Sequence, residues 1–170
     1  MELYKGSYEH IIGLLEQRGV TVPEVAEIVY QLQKPHNELL TIQDCEESVY
    51  AVLAKREVQY TLYTGIALDD LAEKKLLPSP LQEIMEVDEG LYGVDETLAL
   101  GIVHVYGMIG LTSFGYLDKQ KMGIIGRLND DKRSINVFLD DLVAGLAAAA
   151  AGRIAHKNVN AIDYLAAVNQ

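Results

Sequence analysis

The chain is 170 residues long, 49% hydrophobic and 23% charged, with a formal net charge of −11 at pH 7. This size and composition predict one folded domain and exclude a disordered or low-complexity chain. The acidic charge argues against a nucleic-acid partner and against general adhesion to anionic membranes, because like charges repel.

The cysteine count and the first residues bear on the compartment. Cys45 is the single cysteine, so an internal disulfide is impossible and a reducing compartment fits. The opening residues MELYKGSYEH have no basic region followed by an apolar one, so no signal peptide is expected. We therefore expect a cytoplasmic protein, with peripheral membrane contact through a local basic patch left open.

Apolar residues spaced as on one helix face recur along the first half of the chain. Ser7 is the predicted cap of a first helix that Gly19 ends, and Thr21 opens a second, PEVAEIVYQLQ. Thr41 and Asp44 resemble a capping box at the start of a long apolar-periodic stretch. No alternating series of strands supports a sheet, so the pattern predicts an all-α protein.

Two prolines, Pro78 and Pro80, mark the clearest linker in the chain. We expect a single all-helical domain in three parts. The N-terminal helices occupy residues 1–77, the half that bears the candidate site occupies residues 78–156, and a C-terminal helical tail occupies residues 157–170.

The segment from Thr97 to Leu117, TLALGIVHVYGMIGLTSFGYL, runs for 21 residues without a formal charge. That length is sufficient to span a bilayer. Four glycines, His104 and the lack of a flanking basic cluster argue against a transmembrane span. The expectation is a buried central helix of a soluble protein.

A last long helix is predicted from about Ile135 to about His156, followed by a short C-terminal helix. Gly145, Gly152 and the alanines of residues 147–151 carry almost no side chain, so neighbouring helices can approach closely. The expected architecture is a single compact helical bundle with a central apolar helix surrounded by others. The alanine-rich faces also suit subunit packing, so a homo-oligomer is a further expectation.

Asp140 and Asp141 are adjacent acids inside the apolar stretch VFLDDLVAG. Neighbouring helix positions point about 100° apart, so apolar residues on both sides leave little room for both acids to face water. A buried carboxylate is costly unless it is paired or binds a metal. Either the two acids belong to a polar strip of an amphipathic helix, or they form a site.

A second group of acids lies in the stretch EVDEGLYGVDE, which holds Asp88, Glu89, Asp95 and Glu96. Asp95 is the predicted cap of a helix that begins near Glu96, and two glycines allow a tight bend that brings the acids together. Carboxylates without a cysteine or histidine cluster suit Mg²⁺ or Mn²⁺ rather than Zn²⁺. A solvated acidic turn is the alternative.

The stretch LDKQK places Asp118, Lys119 and Lys121 in a predicted turn between glycines. A lysine beside an acidic metal cluster is a plausible phosphate partner, although a solvated turn of this composition is common. The chain has no glycine-rich phosphate loop, no GxSxG and no HExxH, which disfavours the usual adenine-nucleotide chemistry.

The order of these three motifs along the chain resembles that of the phosphatidylglycerophosphatase A family. The chain is similar to the soluble Bacillus-type proteins grouped with that family. The resemblance covers about Asp88 to Ala150. Met122 follows Lys121 where the membrane enzymes normally carry proline. The matching positions are Asp88, Gly90, Asp95 and Glu96, then Phe114, Leu117, Asp118 and Lys121, then Asp140, Asp141, Ala144 and Gly145.

The resemblance implies an all-helical fold with the acids at one end of a bundle. It also implies a Mg²⁺-dependent phosphatase of phospholipid metabolism that removes the terminal phosphate of phosphatidylglycerophosphate. A soluble phosphate ester stays open as substrate, so the expected partner is a phosphorylated small molecule or a lipid head group.

The residues expected to carry this chemistry fall into three groups. One or two Mg²⁺ or Mn²⁺ ions are held by Asp88, Asp95, Glu96, Asp140 and Asp141. The catalytic residues are Asp141, Asp95 and Glu89, and those that bind the substrate are Lys121, Lys119 and Asp118. The alternative function is a non-catalytic helical interaction or oligomerisation protein that retains an acidic cation site.

Overall fold

The apolar periodicities of the sequence become nine α-helices in the part of the chain that the computed structural model describes, residues 8–168, with side chains described for residues 8–157. The helices are α1 (Tyr8–Gln17), α2 (Val22–Gln33), α3 (Ile42–Leu53), α4 (Arg56–Glu73), α5 (Leu81–Val87), α6 (Val94–Val103), α7 (Gly107–Gln120), α8 (Ile124–Asp130) and α9 (Leu139–Val168). No strand occurs between residues 8 and 168. The all-α prediction is confirmed.

Local capping residues start two of the helices as the sequence predicts. At α3, the backbone N–H of Asp44 donates to Oγ1 of Thr41 over 3.2 Å, and Oδ2 of Asp44 accepts from the Thr41 N–H over 2.9 Å. Thr21 and Glu24 form the equivalent pair at α2. These reciprocal bonds satisfy N–H groups that a helix start leaves unpaired. The predicted cap at Ser7 lies outside the described residues.

Helix α9 is the axis of the bundle, and α2, α3, α4, α6, α7 and α8 all pack against it. Its residues from Leu139 to Ala151 are almost completely buried. A Cβ added to Gly145 would lie 3.2 Å from the carbonyl oxygen of Ala99, and one added to Gly152 would lie 3.0 Å from Cβ of Tyr106. The predicted close approach of neighbours to the small residues is confirmed.

The bounds of α9 differ from the prediction at both ends. The helix begins at Leu139 rather than near Ile135, and it continues without a break to Val168, so the expected separate C-terminal helix is part of α9. Its start is set by Asp69 of α4, whose carboxylate accepts from the backbone N–H groups of Phe138 and Leu139 over 3.1 and 2.9 Å. A partner distant in the sequence therefore fixes the helix start.

The segment from Thr97 to Leu117 is not one buried central helix, so this expectation is wrong. It is divided between α6 and α7 by a 3₁₀ turn, His104–Tyr106, and by Gly107, whose φ of +62° suits glycine. Residues 94–120 are long and apolar enough to cross a membrane, and only 28% of their most apolar window is buried. Within α7 the side facing α9 is buried at Gly110, Phe114 and Leu117, whereas Met108 and other apolar residues face outward.

Candidate metal centre

The loop between α5 and α6 carries the first acids to one end of the bundle. Asp88 ends α5 in the left-handed conformation, with φ of +51°, and Gly93 precedes α6 with φ of +63°. The ring of Tyr92 packs edge-on against Phe138, with 5.9 Å between ring centroids, and this contact holds the loop against the polypeptide that enters α9.

The position of Asp95 differs from the prediction. Helix α6 begins at Val94 with Gly93 as its N-cap residue, so Asp95 lies in the first helical turn and is not the cap. Its Oδ1 accepts from the backbone N–H of Glu96 over 3.1 Å. Burial raises the pKa of Asp95 to about 7, and the neighbouring Glu96 contributes to this rise.

The end of α7 brings a lysine to the acids. Asp118 and Lys119 lie in the last turn of α7 rather than in a loop, and Lys121 follows with φ of +47°. The ammonium of Lys121 lies 2.9 Å from Oδ1 of Asp118, 2.9 Å from Oδ2 of Asp140 and 3.4 Å from Oδ1 of Asp141. The lysine therefore joins the end of α7 to the start of α9.

The adjacent acids Asp140 and Asp141 are both buried in the first turn of α9. Burial raises the pKa of Asp140, against the opposing effect of Lys121. Burial and the neighbouring Asp140 raise the pKa of Asp141 to about 8. Of the two interpretations of this pair, the polar strip facing water is therefore wrong, because neither acid is on the surface.

These elements enclose a cavity of about 130 Å³. Lys121 and Asn129 contribute to its wall, and Lys119 is exposed and does not. The two sets of acidic residues that the sequence indicated thus line the same cavity, although about fifty residues separate Asp88 from Asp140. The acids that line the cavity are Asp88, Glu89, Asp95, Glu96, Asp118, Asp140 and Asp141.

Three of these acids form a compact group. Oxygens of Asp95, Glu96 and Asp141, one from each residue, all lie within 4.8 Å of one another. Oε2 of Glu96 is buried and has no hydrogen-bond partner among the described residues. Three convergent carboxylates, one with an unsatisfied buried oxygen, fit a hard divalent cation such as Mg²⁺ or Mn²⁺. Asp88 and Asp140 line the cavity outside this compact group.

A second cavity of about 300 Å³ adjoins the first. Asp88, Asn129, Val137 and Asp140 line both cavities, so the two share a wall. The second cavity extends from these residues to Lys132 and Arg133 and their neighbours in the connection between α8 and α9. Two basic side chains therefore lie in the cavity next to the one that the seven acids line.

The sequence interpretation missed two residues, Asn129 in the cavity wall and Asp69, which binds the start of α9 behind it. Asn129 lies in an ordinary polar loop pattern, and nothing in its surroundings distinguishes it. Asp69 had a usable signal, because it continues the buried stripe of α4 three residues after Ile66, which itself follows Leu62 by four. An acid on an apolar helix stripe indicates a buried partner, which here is the start of α9.

The chain is similar to a described family and to several known proteins. Residues 10–156 match the family described as Phosphatidylglycerophosphatase A. The chain is 54% identical to Uncharacterized protein YpjQ of Bacillus subtilis (strain 168) over 150 residues, 88% of this chain and 85% of that protein. It is 53% identical to Uncharacterized protein YutG of the same organism over 144 residues, 84% of this chain and 87% of that protein.

A solved structure has the same fold. It is described as a protein of unknown function from Bacillus stearothermophilus, and it superposes with a TM-score of 0.88 at 52% sequence identity. The match covers 91% of this chain and 97% of that chain. The extent of the family match, together with the acids that it includes, shows that this chain belongs to the phosphatidylglycerophosphatase A family.

Proposed function

We propose that the protein is a Mg²⁺-dependent phosphomonoester hydrolase that removes phosphate from phosphatidylglycerophosphate or from a soluble phosphate ester. The observation that carries this proposal is the compact group of Asp95, Glu96 and Asp141 beside the ammonium of Lys121. Membership of a phosphatidylglycerophosphatase family supports a phospholipid-related substrate.

The compact group would hold the first cation, with Asp88 and Asp140 as the further ligands of the proposed site. Mn²⁺ has the same preference for carboxylate oxygens and is the alternative ion. A bound Mg²⁺ supplies charge to a phosphoryl group and lowers the pKa of a coordinated water. Asp141 and Asp95 would act in catalysis because their carboxylates hold the cation beside the phosphoryl group.

Lys121 would neutralise part of the charge of the substrate phosphate. Its ammonium group is held by Asp118 and Asp140, each 2.9 Å away, so its position is fixed before substrate arrives. Asp118 thereby positions the lysine. Lys119, which is exposed at the same end of α7, is the weaker candidate for a phosphate contact.

Glu89 is the proposed general base, because it lines the cavity outside the compact group. It would accept a proton from a water molecule whose oxygen forms a new bond to phosphorus. The phosphorus–oxygen bond of the ester breaks, and the leaving alkoxide takes a proton to become an alcohol. Water and phosphomonoester are thus converted to alcohol and inorganic phosphate.

An assay of phosphate release in the presence of Mg²⁺ tests this function. The substrates are a panel of lipid and soluble phosphomonoesters that includes phosphatidylglycerophosphate. We expect the wild type to release phosphate from at least one and Asp141→Asn to be at least about a hundredfold slower, because a ligand of the cation is altered. Absence of turnover on every substrate, with wild type equal to Asp141→Asn, would contradict the proposal. Cation binding without turnover would then favour the non-catalytic helical protein.

A further inference from the structure

One face of α4 holds the polypeptide that enters α9. Gly65, Asp69 and Glu73 lie on that face, because residues four apart on a helix are neighbours on its surface. The carboxylate of Asp69 accepts from the backbone N–H groups of Phe138 and Leu139 over 3.1 and 2.9 Å. Each of its two oxygens thus binds one N–H group, and the residue is completely buried.

The same face of α4 fixes the chain on either side of this carboxylate. Oε1 of Glu73 accepts from the backbone N–H of Ile135 over 2.9 Å. A Cβ added to Gly65 would overlap Cδ1 of Leu142 and would lie 3.0 Å from Cβ of Phe138, so the backbone of α4 is in direct contact with α9 here. Such close packing leaves the start of α9 little room to shift toward α4.

A largely buried arginine binds the residues just before α9. Nη2 of Arg18 donates to the carbonyl oxygen of Ile135 over 2.6 Å and to Oδ1 of Asn136 over 2.9 Å. The carbonyl oxygen of Asn136 in turn accepts from the backbone N–H of Asp140 over 3.3 Å. Residues 135–139 are therefore bound both by α4 and by Arg18, which lies between α1 and α2.

The acids at the start of α9 come directly after these contacts. Asp140 and Asp141 follow Leu139, so the direction of their side chains depends on where the first turn of α9 lies. Without the carboxylate of Asp69, two N–H groups of this turn would lose their acceptors, and an unpaired helix end frays. An oxygen of Asp141 lies within 4.8 Å of oxygens of two acids in α6, and a frayed turn would move it away from them.

We propose that Asp69 is a positioning residue of the metal centre, which holds the first turn of α9 so that the carboxylate of Asp141 meets those of Asp95 and Glu96. Asp69 does not line the acidic cavity, so it acts through the backbone of α9 and not by contact with the cation. The inference rests on the proposed function for the presence of that cation. Replacing a residue that orients the ligands of a metal ion typically weakens metal binding about tenfold to a hundredfold.

Isothermal titration calorimetry with Mg²⁺ tests the positioning without requiring turnover. The variants are Asp69→Asn, which keeps one acceptor oxygen, and Asp69→Ala, which keeps none. The matched control is Ser48→Ala, because Ser48 is also buried and its Oγ donates to the carbonyl oxygen of Ala150 over 2.9 Å, several turns further along α9. Thermal melts verify that each variant is folded at the temperature of the titration.

We expect Asp69→Ala to weaken Mg²⁺ binding about tenfold or more. Asp69→Asn should weaken it about threefold, because one of the two acceptors remains. Ser48→Ala should bind Mg²⁺ as the wild type does, although it also loses a buried hydrogen bond to α9. In the phosphate-release assay, saturating Mg²⁺ should restore most of the turnover of Asp69→Asn, whereas Asp141→Asn should stay slow because a ligand itself is altered.

The proposal is overturned if the Asp69 variants bind Mg²⁺ as tightly as the wild type. It is also overturned if Ser48→Ala weakens binding as much as Asp69→Asn does, because loss of stability would then account for the effect. If Asp69→Ala does not fold, Asp69→Asn decides between these outcomes.

The same measurements separate this proposal from the proposed function. Turnover that depends on Mg²⁺, with unchanged Mg²⁺ affinity in the Asp69 variants, contradicts the positioning alone. Weakened Mg²⁺ binding in Asp69→Asn, with no turnover by the wild type on any substrate, supports the positioning and contradicts the hydrolase. Absence of Mg²⁺ binding by the wild type would contradict both.

Discussion

The ammonium nitrogen of Lys121 lies 2.9 Å from Oδ2 of Asp140, whose side chain is only 8% exposed. The same ammonium also contacts Asp118 and Asp141, whereas Oε2 of Glu96 has no hydrogen-bond partner in the described part of the chain. The chain thus supplies a cation to one side of the cavity and leaves the other side suited to a metal ion.

Replacing Lys121 by methionine is expected to destabilise the metal-free protein by about 2 kcal/mol. The substitution leaves Asp140 and Asp141 buried without their cation, and the usual cost of breaking a buried pair is reduced because Lys121 is partly exposed. Urea unfolding at pH 8 with a chelator measures the change. Lys119→Met, which alters an exposed lysine of the same turn, should change stability by less than about 0.5 kcal/mol. Equal stability of the two variants would contradict the account.

Added Mg²⁺ is expected to raise the melting temperature of the wild type by several degrees. Ligand at about 100 times its Kd adds about 2.7 kcal/mol to the free energy of unfolding. Asp141→Asn and Glu96→Gln should lose this response, while Glu47→Gln, an exposed acid of α3, should retain it. Without metal, Asp141→Asn should be neutral or stabilising, because it removes repulsion from Asp140. An equal Mg²⁺ response in all four proteins would exclude the cation from this group of acids.

The metal-free protein is expected to lose stability as the pH rises from about 5 to about 8. Burial raises the pKa of Asp69 to about 8, and the pKa values of Asp95 and Asp141 to about 7 and about 8, from 3.8. At a pH between 3.8 and these raised pKa values, the folded state keeps protons that the unfolded state has released. The free energy of unfolding therefore falls as the pH rises. We expect a fall of at least about 1.4 kcal/mol, the equivalent of one pKa unit.

Acid pH and added Mg²⁺ should each change the stability further. Below about pH 4 stability should fall again, because hydrogen bonds with Thr21 and Arg127 lower the pKa of Glu24 despite its partial burial. Mg²⁺ should reduce the loss at pH 8, because the ion binds ionised carboxylates. Urea unfolding at several pH values, with chelator and with Mg²⁺, measures both effects. A rise in stability from pH 5 to pH 8 with chelator present would be opposite in sign to the expectation.

Asp69→Ala is expected to cost about 2 kcal/mol of stability at pH 6. The substitution leaves the buried N–H groups of Phe138 and Leu139 without their acceptors. Asp69→Asn keeps one acceptor and should cost about half as much. The control is Asp70→Asn, because Asp70 is the adjacent acid of α4 and is more exposed. If Asp69→Ala and Asp70→Asn unfold at the same urea concentration, the proposed cap of α9 does not contribute to stability.

The sequence predicted the parts of this structure that depend on local patterns. The capping box of Thr41 and Asp44 and the small residues Gly145 and Gly152 act over a few residues or on one helix face. Their consequences follow from periodicity and side-chain size. For Asp140 and Asp141 the apolar neighbours left two interpretations open, a polar strip or a site, and the structure shows both acids buried.

The features that the sequence did not predict depend on contacts between distant elements. Helix α9 begins at Leu139 because Asp69 binds its first N–H groups from seventy residues away. Residues 97–117 are divided at residues 104–107 into α6 and α7, which each pack against α9, and composition alone does not reveal this division. Asn129 reaches the cavity only through the placement of the last turn of α8.

Anomalous diffraction from a crystal soaked in Mn²⁺ locates the cation directly. We expect a manganese peak coordinated by Asp95, Glu96 and Asp141, and loss of that peak in crystals of Asp141→Asn. A manganese peak found only elsewhere in the wild type, or no peak beside these three carboxylates at saturating Mn²⁺, would contradict the account.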